Sequence, residues 1–180
     1  MEDEMLKFFA MLFAGLLAAS TAAYAAGGGS DNDTSSSPAN QKCKKGEVWN
    51  KTKKKCVKAT SGVLTDEDLY QQGRALAKQG HYDWAIAVLA VAQNQQDPRV
   101  LNYTGYSHRK AGRLEIGITY YRKALEIDPN FNLAREYLGE GYIAAGRIDL
   151  AMAELAAIAK SCGTACAEYR DLSAAIAAAN

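Results

Sequence analysis

Apolar residues recur at helical spacing along most of the chain after Val63. Between Gly112 and Asn130 they fall at Leu114, Ile118, Tyr121, Ala124 and Leu125, and the run stops at Asp-Pro-Asn, a helix-end signal. The same texture extends from Val63 to the C-terminus, with breaks at Gly80, Gly112 and Gly146, spaced 32 and 34 residues apart. Regular breaks at that period predict helix–turn–helix pairs repeated in series. After the third pair, Tyr169, Leu172, Ala175 and Ile176 continue the spacing and predict a seventh helix that closes the stack. Ahead of the helices, Glu47 to Asn50 and Lys55 to Lys58 read as two short strands around a turn at Lys51 to Lys54.

These patterns divide the chain. Residues 1–25 hold an apolar run from Phe8 to Ala19 and an Ala23-Tyr24-Ala25 exit, which reads as a signal peptide cleaved after Ala25. The acids at positions 2 to 4 sit poorly in a signal peptide, so Met5 is an alternative start. An uncleaved membrane anchor competes with the signal reading, but the apolar run is short for a span and rich in alanine. Residues 26–41 are mostly glycine, serine, asparagine and aspartate, and are expected to be a disordered linker. Residues 42–58 form the Cys-bounded, Lys-rich hairpin, 59–65 a second linker, and 66–180 the helical domain with its cap.

Three segments superimpose. They begin at Leu69, Leu101 and Arg135, and each carries a glycine in its first helix (Gly73, Gly105, Gly139) and another at the turn. The first unit offers Leu69, Gly73, Leu76, Gly80, Tyr82, Ala85, Leu89 and Ala92; the second Leu101, Gly105, Gly112, Leu114, Tyr121, Ala124 and Pro129; the third Leu138, Gly139, Tyr142, Gly146, Ala151, Leu155 and Ile158. This pattern resembles the tetratricopeptide repeat. The departures are a displaced Pro98, His108 where Tyr is usual, Gly117 where Ala is usual, and no closing Pro in the third unit. The resemblance implies an all-α fold, a right-handed α-α superhelix of three units plus the C-terminal capping helix, preceded by the disulfide-bounded hairpin.

Composition narrows the function. The chain has 180 residues, 48% of them hydrophobic, and a formal charge of +1. Eight lysines against the single acid Glu47 lie between residues 42 and 58, whereas residues 63 to 180 carry 12 bases and 14 acids. The basic character is local, so nucleic acid is not an expected partner. Four cysteines fall in two close pairs, Cys43 with Cys56 and Cys162 with Cys166. Export to an oxidising compartment predicts a local disulfide in each. The two histidines, His81 and His108, lie at no metal-ligand spacing from either pair, so no metal site is expected. No phosphate loop, Gly-x-Ser-x-Gly or His-Glu-x-x-His motif occurs, and neither a catalytic residue nor a cofactor is expected.

The family's binding surface is the groove lined by the first helix of each unit. In register it takes Glu67, Tyr70, Arg74 and Lys78, then Arg99, Asn102, Tyr106, Arg109 and Lys110, then Leu133, Glu136, Glu140 and Ile143. Two units are basic and aromatic and the third is acidic and apolar, which suits a peptide or protein segment with acidic character at one end. Arg74 and Arg109 are expected to face that surface as exposed cations whose loss leaves the fold intact. A subgroup of the family clamps a C-terminal carboxylate, but the equivalent positions here are Tyr70, Arg74, Tyr103, Leu133 and Tyr137, so that clamp is not expected. The sequence thus implies a non-catalytic scaffold, periplasmic or secreted, with a protein partner and no membrane span once the signal is cleaved. Two alternatives stand beside it. The Trp49 hairpin, similar to pieces of carbohydrate-binding modules, would contact cell wall or glycan, or Cys162 and Cys166 would act as a thiol-redox pair.

Overall fold

The computed structural model describes residues 43–60, 62 and 64–179, so the expected signal peptide and first linker lie outside the described residues. Among the described residues are two strands, β1 (Glu47–Asn50) and β2 (Lys55–Lys58), and seven helices. The helices are α1 (Asp66–Lys78), α2 (Tyr82–Leu89), α3 (Pro98–Lys110), α4 (Leu114–Ile127), α5 (Asn132–Ala144), α6 (Ile148–Cys162) and α7 (Ala167–Ala179). They pair as α1 with α2, α3 with α4 and α5 with α6, each pair stacks on the next, and α7 packs on α5 and α6.

Local chemistry sets the ends. Thr65 caps α1 by accepting from the Asp68 N–H at 3.1 Å, and Asp66, Glu67 and Asp68 place negative charge at the positive end of the helix dipole. Asp97 caps α3, with Pro98 in the first turn where its missing N–H costs nothing. The turn glycines Gly80, Gly112 and Gly146 have φ of 83°, 82° and 70°. In each case the next residue's N–H reaches back over the turn (His81 to Leu76, Arg113 to His108, Arg147 to Tyr142), closing a Schellman motif that a side chain at the glycine would strain. That one device sets the repeat period seen in the sequence.

The first-helix glycines mark close approaches. A Cβ on Gly73 would lie 2.5 Å from Leu89, and one on Gly105 would lie 2.9 Å from Tyr121, both on the partner helix of the same unit. The third unit differs: Gly139 receives Leu172 of α7, at 2.6 Å from where a Cβ would stand, so the seventh helix fills the place a partner helix fills in the earlier units. Leu172 is fully buried there.

The hairpin pairs antiparallel with Val48 opposite Val57 and Trp49 opposite Cys56, and Cys43 is bonded to Cys56. It is not a separate module. Val48, 1% exposed, joins the core formed by Leu69, Leu76 and Leu89 of the first unit and Tyr103 of α3. The buried amide of Gln72 on α1 accepts from the Trp49 N–H at 2.7 Å and donates to the Trp49 carbonyl at 3.0 Å. Alternation explains the docking: the strand turns Val48 and Asn50 inward and leaves Glu47 and Trp49 half-buried. Ala59 and Leu64, expected in a linker, pack against the same core.

Candidate functional site

The first helices α1, α3 and α5 bring a row of tyrosines onto one face. Ring centroids lie 5.9 Å apart for Tyr70 and Tyr103, 6.0 Å for Tyr103 and Tyr106, and 5.2 Å for Tyr106 and Tyr137. Tyr82 of α2 and Tyr121 of α4 touch the row at 6.4 Å from Tyr106 and 6.1 Å from Tyr137. Tyr103 and Tyr106 are one turn apart on α3, and Tyr137 follows Tyr103 by one repeat, so stacking the units brings the rings together.

Cations lie over these rings. Lys78 Nζ is 5.4 Å from the Tyr106 centroid and 5.5 Å from that of Tyr137, and it donates to Tyr137 Oη at 2.9 Å. Arg74 Nε donates to Tyr103 Oη at 3.0 Å, and Lys110 lies 5.7 Å from the Tyr106 ring. At the outer edge Arg99 covers Tyr70 at 4.5 Å and pairs with Glu67 at 2.9 Å and Asp97 at 2.7 Å. Burial works against the Asp97 charge, but the hydrogen bonds and charge of Arg99 outweigh it and hold that carboxyl below its usual range. Each cation gains from the ring quadrupole, by about 0.5–1 kcal/mol where exposed, and the rings hold the flexible lysine and arginine stems in place.

Arg109 differs from the exposed groove cation the sequence suggests. Its side chain is 9% exposed, its Nε donates to Tyr121 Oη at 3.2 Å, and its terminal nitrogen pairs with Glu140. Burial works against its charge, yet Tyr121 and Glu140 outweigh that and raise its pKa. Burial likewise raises the Tyr121 pKa, against the pull of Arg109, so the phenol stays neutral. Arg109 is a strut tying α3 to α4 and α5, with only its edge toward the tyrosine row at 5.8 Å from Tyr106 and Tyr137.

The acidic end also differs from an exposed lining. Glu136 is 4% exposed and Asn102 is fully buried, with neither end of the Asn102 amide hydrogen-bonded. Burial first, then the charges of Glu140, Asp171 and Glu168, push the Glu136 carboxyl up to about 8, while Lys78 opposes them. Leu133 and Ile143 are half-buried against the second core. Glu168 and Asp171 of α7 escaped the sequence reading because the cap follows no repeat register. Tyr103 and Tyr137 appeared there only as negative evidence against a carboxylate clamp, although their one-repeat separation is visible.

On the opposite edge, His108 stacks on Tyr120 at 5.5 Å and accepts on Nδ1 from Arg113 Nε at 2.8 Å, and Arg113 pairs with Asp83 at 2.8 Å. Burial, then the Arg113 charge, lowers the His108 pKa, so the ring is neutral and able to accept. One repeat later Arg147 pairs with Glu115 at 2.7 Å, in the register of Arg113 with Asp83. His108 thus has a structural partner set. Cys162, the last residue of α6, is bonded to Cys166, just ahead of α7, so this pair links the last repeat to the cap.

The sequence profile of the tetratricopeptide repeat matches residues 70–131 and again 105–169, more than half of the chain, and the protein belongs to the tetratricopeptide-repeat family. Among solved structures, one titled "MamA RS-1 ArsTM double mutant" is similar at 23% identity with a TM-score of 0.49, over 53% of this chain and 55% of that one. The chain therefore spans about half the length of that protein. No curated protein matches the sequence. Repeats of this family support a protein–protein interaction scaffold, and family members are typically non-catalytic. Among the described residues no helix is long and apolar enough to cross a membrane.

Proposed function

We propose that the protein is an exported, non-catalytic scaffold, periplasmic or secreted, that holds an extended or helical segment of a partner protein across α1, α3 and α5. The tyrosine row with its overlying cations carries this reading. Arg74, Lys78 and Lys110 favour acidic residues in that segment, and the half-buried Tyr70 and Tyr106 offer rigid aromatic contact at small entropic cost, while the buried Tyr103 and Tyr137 anchor Arg74 and Lys78 from beneath. Arg109 contributes by fixing the spacing of α3, α4 and α5. The two disulfides and the signal-like N-terminus support export.

Calorimetry with a segment crosslinked from the native partner tests the reading. Replacing Arg74 and Lys110 together with Ala should weaken binding by roughly 1 to 3 kcal/mol at unchanged helicity. Equal affinity for parent and variant would contradict it.

A second reading rests on the hairpin turn, where Lys51, Lys53, Lys54 and Lys55 are all exposed. That surface suits contact with an anionic cell-wall polymer. Replacing Lys53, Lys54 and Lys55 with Ser should abolish co-sedimentation with purified cell wall if it holds.

A further inference from the structure

A cavity of about 320 Å³ lies between the hairpin and the first inter-helix turn, lined by Lys45, Gly80, His81, Tyr82, Asp83 and Trp84. The repeat register sets this place apart from its equivalents. In the second and third units the residue after the turn glycine is an arginine, and Arg113 and Arg147 reach back to Asp83 and Glu115 of the unit before. In the first unit that position holds His81, and the element ahead of it is the hairpin. Trp84 shares its register with Ile116 and Leu150, and of the three it alone carries a polar side-chain atom. Its indole N–H is buried and meets no acceptor among the described residues. A buried donor without a partner is costly, so an acceptor brought by a ligand is favoured there.

The lining combines flat apolar faces with both kinds of polar group. The rings of His81 and Trp84 lie 5.8 Å apart, tilted by 47°, and Tyr82 lines the same cavity. Lys45 and the indole N–H are donors. Asp83 is the acceptor: its Oδ1 takes a hydrogen bond from Arg113, and its Oδ2 receives none among the described residues. Arg113 offsets the Asp83 charge, and the exposed Lys45, in no ion pair among the described residues, adds a positive one. Hydroxyl groups both give and take hydrogen bonds, the C–H face of a ring packs on aromatic walls, and a carboxylate answers the lysine. We propose that this cavity binds one saccharide ring bearing a carboxylate, a uronic acid unit. The site stands apart from both readings above, because it meets the tyrosine row only through Tyr82, 6.4 Å from Tyr106, and uses none of the lysines of the hairpin turn.

The test follows the indole N–H signals of the full exported chain by 15N NMR in physiological salt. The protein has two tryptophans, so the Trp84 signal is identified by its loss in Trp84→Phe. Methyl glucuronide should move that signal saturably in the millimolar range. Methyl glucoside should bind several-fold more weakly, and sodium acetate should leave the signal in place. Lys45→Gln, a change at an exposed residue, should keep the helical spectrum and remove the preference for the glucuronide. Free glucuronate that binds as tightly as its glycoside supports the pocket with the unlinked acid as its ligand, and weaker binding of the free acid supports it with a terminal ring of a polymer. An unmoved Trp84 signal, equal movement with acetate, or an undiminished preference in Lys45→Gln overturns the proposal.

Discussion

Gly117 leaves room for Arg109. A Cβ on Gly117 would stand 2.9 Å from the Arg109 Cβ and 2.8 Å from the Gly105 carbonyl oxygen. Without it, α3 and α4 close up, and the arginine stem runs between them to Tyr121 and Glu140. The departure from the family's alanine at this position therefore has a cause in the neighbouring helix.

Gly117→Ala should accordingly destabilise the fold. The clashing atoms are backbone and Cβ, which cannot rotate away, so a cost of roughly 1 to 3 kcal/mol is expected. Urea denaturation checks it. The parent midpoint retained in the variant would mean that α3 and α4 tolerate the extra carbon.

Arg109→Ala should destabilise rather than merely lower affinity. It removes a buried stem and leaves Tyr121 Oη without its donor, at a cost of about 2 kcal/mol or more. Arg74→Ala also takes a donor from a buried phenol, Tyr103 Oη, but it removes a half-exposed stem, so it should cost about 1 kcal/mol, less than Arg109→Ala. Thermal melts of the two variants separate a buried strut from a half-exposed cation.

Stability should fall as pH rises from the ordinary carboxylate range to about 8. In the folded state Glu136 holds its proton up to about 8, whereas the unfolded chain releases it near the model-compound value of 4.5. Across that window the folded state binds more protons, so this group's contribution is full below 4.5 and is lost by about 8, at about 1.4 kcal/mol per unit. Glu136→Gln should flatten the slope and be more stable than the parent at pH 8. A parallel slope in both proteins would place the pH dependence elsewhere.

Gln72→Ala should release the hairpin. It strips partners from the Trp49 N–H and carbonyl, costing about 1 to 3 kcal/mol locally. Hydrogen exchange at the Trp49 amide should speed up markedly while exchange in α5 stays as it was.

Much of this was legible in the sequence because repeats and turns are local codes. The glycines at 80, 112 and 146 give the period, and Val48 to Val57 alternation gives the hairpin. What the code lacks is the third dimension of the stack. The register that puts Arg74 and Arg109 on the first helices of successive units cannot show that Tyr121 and Glu140 bury one of them. Nor does the repeat extend to α7, so the approach of Glu168 and Asp171 to Glu136, and of Leu172 to Gly139, had no pattern to reveal it. Docking of the hairpin on Gln72 depends on a polar residue in the core, which periodicity treats as an exception.

The most direct test of the scaffold places a photo-crosslinking residue at Tyr106 on the tyrosine row, and in separate variants at Thr119 on α4 and Lys53 in the hairpin turn, in the exporting cell. Mass spectrometry should recover one partner from the Tyr106 variant, with its crosslinked peptide mapping to an acidic segment, and should not recover it from Thr119. Crosslinks confined to Thr119 or Lys53, with none at Tyr106, would contradict the account.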